Sequence, residues 1–155
     1  MLCVWDQVEF HSAGEYAVGL LWHAADVVRS EDRGFVCRNE GTWDLPNGST
    51  PDAHGDPCTF WIGMAGPAGT ALGHERRALT DFNCPVTQKE HLFARWAGSA
   101  APDQPCCFLS VIMPVRTDCR PDSVTMAIEA HAARIKLPGL ECTFGADGEC
   151  RVHTP

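Results

Sequence analysis

In the stretch EYAVGLLWHAADVV (15–28), the histidine that follows the apolar run up to Trp22, His23, is a residue placed to do chemistry. Its strand face carries Ala17 and Gly19, which leave room beside a sheet. A small-residue face ending in histidine can frame a pocket or offer a metal ligand. One imidazole does not make a zinc site, because zinc takes three or four protein ligands. The plain alternative is a strand-end histidine hydrogen-bonded to a neighbour. Two further clusters combine cations with other functional groups. In HERR (74–77), His74 and Arg76 share one strand face, and in HLFAR (91–95), His91, Phe93 and Arg95 share another. Arg76 and Arg95 are the candidate substrate contacts, since a guanidinium matches carboxylate and sulfate geometry. Solvated strand faces are the competing reading of both.

Other chemistry is thinner. Asp6 falls on the apolar face of LCVWDQVEF, where a carboxylate needs a partner or a proton. His54 and Cys58 stand four apart in a long loop with no companion ligands. No GxSxG turn marks a serine nucleophile. GMAGPAGTALG has glycines but neither the lysine nor the helix of a phosphate loop. The one tyrosine, Tyr16, points with the apolar set.

The elements that must hold these residues are strands. Apolar residues recur with a period of two at 2–10, 15–24, 33–39, 57–64, 69–79, 89–97 and 106–115. In SVTMAIEAH, Val124, Met126 and Ile128 point one way and Thr125, Glu129 and His131 the other. A helix over 124–135 competes, but valine and threonine disfavour it. RIKL, LECTF and ECRVH continue the alternation, with GADG suited to a hairpin turn. Long loops rich in proline and glycine separate the strands at 41–57 and 98–105. The expectation is a single all-β domain over 1–155, an antiparallel β-sandwich of two packed sheets and about ten short strands.

Composition sets limits on partners. Twelve basic residues against 20 acidic ones give a net charge of −8 at pH 7. Such a surface repels nucleic acid and anionic membranes alike. No apolar run reaches the length of about 20 residues that crosses a bilayer as a helix. Nine cysteines form no CxxC pair. Cys3, Cys37, Cys107 and Cys142 occupy apolar strand positions and read as small hydrophobes. Disulfides would require an oxidising compartment, and spacing fixes no pairing. The chain opens directly on strand-like residues, which favours the downstream part of a longer protein over a complete cytoplasmic one.

The order of these pieces resembles the C-terminal part of heparinase II/III-like polysaccharide lyases. CVWDQVE is similar to a family strand leading into aspartate. SAGEYAVGLLWHAADVV resembles the next strand, which ends in an aromatic residue and histidine. MAGPAGTALGHERRAL, EHLFARWAG, CCFLSVIMPVR and LECTFGADGECRVH follow in the family's order. The resemblance implies a β-sandwich domain joined to a helical catalytic domain of the same polypeptide. It implies β-elimination on an acidic, uronic-acid-containing polysaccharide, and a periplasmic or secreted location. Most catalytic groups would lie in the helical domain, so this chain would be inactive alone and carries no catalytic residue of its own. The resemblance also implies a zinc in the β-part, with His23 the ligand carried over and His11 its alternative. The family's early His-Asn strand is missing from this sequence. Both the acidic surface and the nine cysteines depart from the family's habit. Two other classes compete: a non-catalytic carbohydrate-binding or interaction β-sandwich, and a small metal-dependent β-barrel enzyme using His23 with His11 or His74.

Overall fold

The computed structural model describes residues 1–39, 58–79, 87–115, 123–129, 132–145 and 149–154. These form twelve strands and no α-helix: β1 (Leu2–Val8), β2 (Gly14–Ala24), β3 (Asp26–Glu31), β4 (Gly34–Asn39), β5 (Cys58–Ala65), β6 (Ala71–Leu79), β7 (Thr87–Ala100), β8 (Cys106–Pro114), β9 (Thr125–Glu129), β10 (Ala132–Leu137), β11 (Leu140–Phe144) and β12 (Cys150–His153). Every pairing is antiparallel. The fold is an all-β sandwich, as the alternation predicts, but with three sheets rather than two. A five-stranded sheet in the order β1-β8-β5-β4-β3 lies in the middle. A three-stranded sheet, β2-β7-β6, covers one face, and a four-stranded sheet, β12-β11-β10-β9, covers the other.

The layer order follows from strand chemistry. Successive side chains of a strand point to opposite faces. In β8, CCFLSVIMP, almost every position is apolar, so both faces need cover. Cys106 and Phe108 enter the core shared with the three-stranded sheet, beside Phe35, Ile62, Met64, Leu92 and Ala94. Leu109, Val111 and Met113 enter the core shared with the four-stranded sheet, beside Trp61, Ile135, Cys142 and Phe144. Ser110 is the polar exception, fully buried on the first face. Trp22 Nε1 donates to its hydroxyl at 2.9 Å and ties β2 to β8. That bond explains the tryptophan at the end of the inward-facing set of β2: the indole crosses to the central sheet while His23 turns outward.

The flanking sheets alternate as read. Tyr16, Val18, Leu20 and Trp22 face the core, and Ala17, Gly19, Leu21 and His23 face out. Val124, Met126 and Ile128 also pack inward, so strand wins over helix at β9. Pro138 and Gly139, the latter with φ of 74°, close the tight turn from β10 to β11. The GADG hairpin joins β11 to β12 through Gly145 N–H donating to the Glu149 carbonyl, although 146–148 lie outside the described residues. So do the loop at 41–57 and His54. The second long loop is shorter than the sequence suggests, because β7 continues to Ala100.

β3, DVVRSE, carries too little apolar alternation to announce itself. It is an edge strand and bulges between Val27 and Arg29, where its register with β4 slips.

Cover on both faces makes adjacent β8 residues equally costly to truncate. Phe108→Ala is expected to lose about 3–5 kcal/mol and Leu109→Ala about 2–5 kcal/mol in urea unfolding. Leu21→Ala, exposed on the outer face, should stay within about 0.5 kcal/mol. A near-neutral Leu109→Ala would mean that the second face is not packed.

Candidate functional site

The three-stranded sheet gathers most of the residues that the sequence marks for chemistry, and its register sorts them onto two faces. On the outer face, His23, His91 and Glu75 stand side by side across β2, β7 and β6. The next row is Leu21, Phe93 and Gly73, and the one after is Gly19, Arg95 and Ala71. Lys89 and Arg77 pair beyond the histidines. A Cβ at Gly73 would meet the tip of the Phe93 ring, so glycine lets the ring lie over this position without shifting. Arg95 lies over the same ring, its Cζ 4.0 Å from the centroid, a cation–π contact. Glu75 Oε1 lies 2.8 Å from Arg77 Nη2 and 3.5 Å from Arg95 Nη2. The carboxylate thus holds two guanidiniums in place over a floor of alanine and glycine.

His23 and His91 meet edge to face, with ring centroids 4.5 Å apart. Burial, and then the neighbouring His91, hold the His23 pKa below its ordinary value of 6.5, so this imidazole is neutral at pH 7. His91 Nε2 is buried without a hydrogen-bond partner. The pair offers two of the three or four ligands that zinc needs. Among the described residues no group of three potential ligands comes together there or elsewhere. His11 lies beyond the opposite end of β2, about 30 Å along the strand. His74 lies on the opposite face. Neither stands beside His23, and these residues do not by themselves complete a zinc site.

The inner face holds a different cluster at its rim. Glu90 is buried, 7% exposed, in line with Leu92 and Ala94. Its Oε2 lies 3.0 Å from His74 Nδ1, and its Oε1 lies 3.8 Å from Arg76 Nη1. Arg76 also reaches Asp26 at 4.0 Å, and Phe35 meets the His74 ring edge-on. A buried carboxylate needs such partners, since the bare charge is expensive away from water. Arg76 is therefore engaged in neutralising Glu90, on the opposite side of the sheet from Arg95. One cleft cannot take both arginines. Sequence reading missed Glu90, although it carried a signal: a charge in phase with the apolar set of β7.

Cys37 lies beneath this rim, fully buried. Burial first, then the Glu90 and Asp26 carboxylates, push its thiol up to about 12. Such a thiol stays protonated and is no nucleophile at neutral pH. Burial likewise lifts Cys106 to about 11. Tyr16 is also engaged: its hydroxyl donates to the Ser12 carbonyl at 2.9 Å, and its ring packs on Phe10. Asp6 is half-buried on β1, opposite Phe108, and Cys58 is exposed at the start of β5.

No known protein family, curated protein or solved structure matches this chain.

The thiols supply a pH prediction. The fold favours protonated Cys37 and Cys106, whose ordinary pKa is 9.0. Their contribution is complete below about pH 9 and is lost as pH climbs toward their folded values. Unfolding free energy should therefore fall steadily from pH 9 to 11. In iodoacetamide labelling at pH 8, exposed Cys58 and Cys150 should react in the native protein. Cys37 and Cys106 should react only after denaturation. Labelling of Cys37 in the folded state would contradict the assignment.

Proposed function

We propose that this chain is the C-terminal β-domain of a heparinase II/III-like polysaccharide lyase. In this reading the outer face of β2-β7-β6 lines the groove that receives an acidic polysaccharide. The observation that carries it is the charge on that face. Lys89, Arg77 and Arg95 stand there against the carboxylate of Glu75, with Phe93 among them and the one other carboxylate, Glu15, at the far end of β2 beside Ser99, on a chain of net charge −8. A cationic sheet face with an aromatic residue and a small-residue floor suits a flat, anionic sugar chain.

In β-elimination a base removes the proton beside the uronate carboxylate, and an acid assists the departing oxygen. Negative charge grows on the carboxylate as the proton leaves, and a positioned cation stabilises it. Arg95 is the group on this chain suited to that contact. Glu75 and Phe93 fix its guanidinium in advance, which lowers the cost of ordering it on binding. The base and the acid belong to the helical domain in this reading. Arg76, paired with buried Glu90, holds the sheet rim together rather than touching sugar.

A titration with an alternating uronic-acid hexasaccharide tests the binding face. Arg95→Ala and Lys89→Ala should each weaken binding by roughly tenfold, while Arg76→Ala should change it less than twofold. Affinity should fall as salt rises. Absence of binding, or equal losses from Arg76 and Arg95, would overturn the proposal. The coding sequence upstream of Met1 separates a lyase domain from a free-standing carbohydrate-binding module. The lyase reading requires a helical domain with a catalytic tyrosine there, and an in-frame stop codon would end it.

A further inference from the structure

The four-stranded sheet has an outer surface of its own, on the far side of the molecule from the residues above. An open cleft of about 400 Å³ lies over it. That is within the usual range for small-molecule sites, roughly 300–1,000 Å³. Strand register places Ala127, Arg134, Thr143 and Arg151 in one row across β9, β10, β11 and β12. All four line the cleft. The two arginines therefore rise on either side of the Thr143 side chain, their backbones about 10 Å apart. Ala127 leaves the row open at its β9 end.

Each arginine is braced from outside the row. Arg134 Nε lies 3.3 Å from Glu141 Oε1, and Arg151 Nη2 lies 3.1 Å from Glu149 Oε2. One carboxylate contact uses only part of a guanidinium, which has five N–H donors in a rigid fork. The remaining donors are left for a ligand in the cleft. Glu129 also lines the cleft, as does Glu149, and it can accept from a hydroxyl or an amine of the same ligand.

We propose that this cleft binds a small organic oxyanion, with the anionic group held between Arg134 and Arg151 over Thr143. The ligand class is a carboxylate, sulfate ester or phosphate ester on a body about the size of one sugar ring. The site stands independently of the lyase reading, because it uses a different sheet and different residues. Arginine is suited to it, since its planar fork grips two oxygens at once.

The test is an ¹⁵N NMR titration of the whole chain with sodium sulfate, sodium phosphate and glucuronate, each at fixed ionic strength against sodium chloride. The expected result is saturable shifts of the Thr143 amide and of the Arg134 and Arg151 Nε–H signals with at least one of the three. Arg134→Gln and Arg151→Gln should each weaken that binding by roughly tenfold. Arg29→Gln, on edge strand β3 of the central sheet and paired with Glu31, should leave it unchanged. Stronger binding of sulfate or phosphate assigns a tetrahedral ester, and stronger binding of glucuronate assigns a carboxylate. Shifts that match chloride, fail to saturate with all three, or survive both arginine variants would overturn the site. The same spectra report whether each variant is folded.

Discussion

A sheet covered on both faces has nowhere to put a charge. The five-stranded sheet at the centre of this protein is in that position, and β8 shows it most clearly. Its side chains alternate between two cores, one shared with β2-β7-β6 and one with β9-β12. Any polar group on it must be satisfied inside the protein. Ser110 meets that demand by accepting from Trp22, and the bond fixes how the three-stranded sheet seats on the centre.

This constraint pushes chemistry to the outer layers. The outer faces of the two flanking sheets are where charges can gather in rows, because cross-strand register lines up residues from separate hairpins. On one side this builds the Glu75–Arg77–Arg95 cluster over Phe93. On the other it builds the Arg134–Thr143–Arg151 row. Glu90 stands at the rim of the inner layer, paired with His74 and Arg76 where the sheet meets β3 and β4. The buried thiols nearby stay protonated, so the core contributes packing and not reactivity.

Face assignment was legible in the sequence, and partner assignment was not. The period of two separated Tyr16–Trp22 from Ala17–His23 and put Arg76 and Arg95 on different strands' faces. It could not show that those faces point to opposite sides of one sheet, because that depends on the β6–β7 register. The unbroken apolar run of β8 was visible, yet its meaning, cover on both sides, needs a third sheet. β3 was hidden because an exposed edge strand can afford to be polar. Glu90 was hidden by its polar neighbours Lys89 and His91, although its phase with Leu92 and Ala94 gave it away. The row at Thr143 depends on three successive hairpin registers that no local pattern encodes.

Hydrogen exchange resolved by residue tests the central claim most directly. If the five-stranded sheet is sealed on both faces, the Phe108–Met113 amides open only when the whole protein unfolds. Their exchange free energy should then equal the global unfolding free energy, well above that of the edge strands β3 and β12. Exchange of these amides through a smaller opening, at the rate of β12, would show that one covering layer is not packed onto the centre.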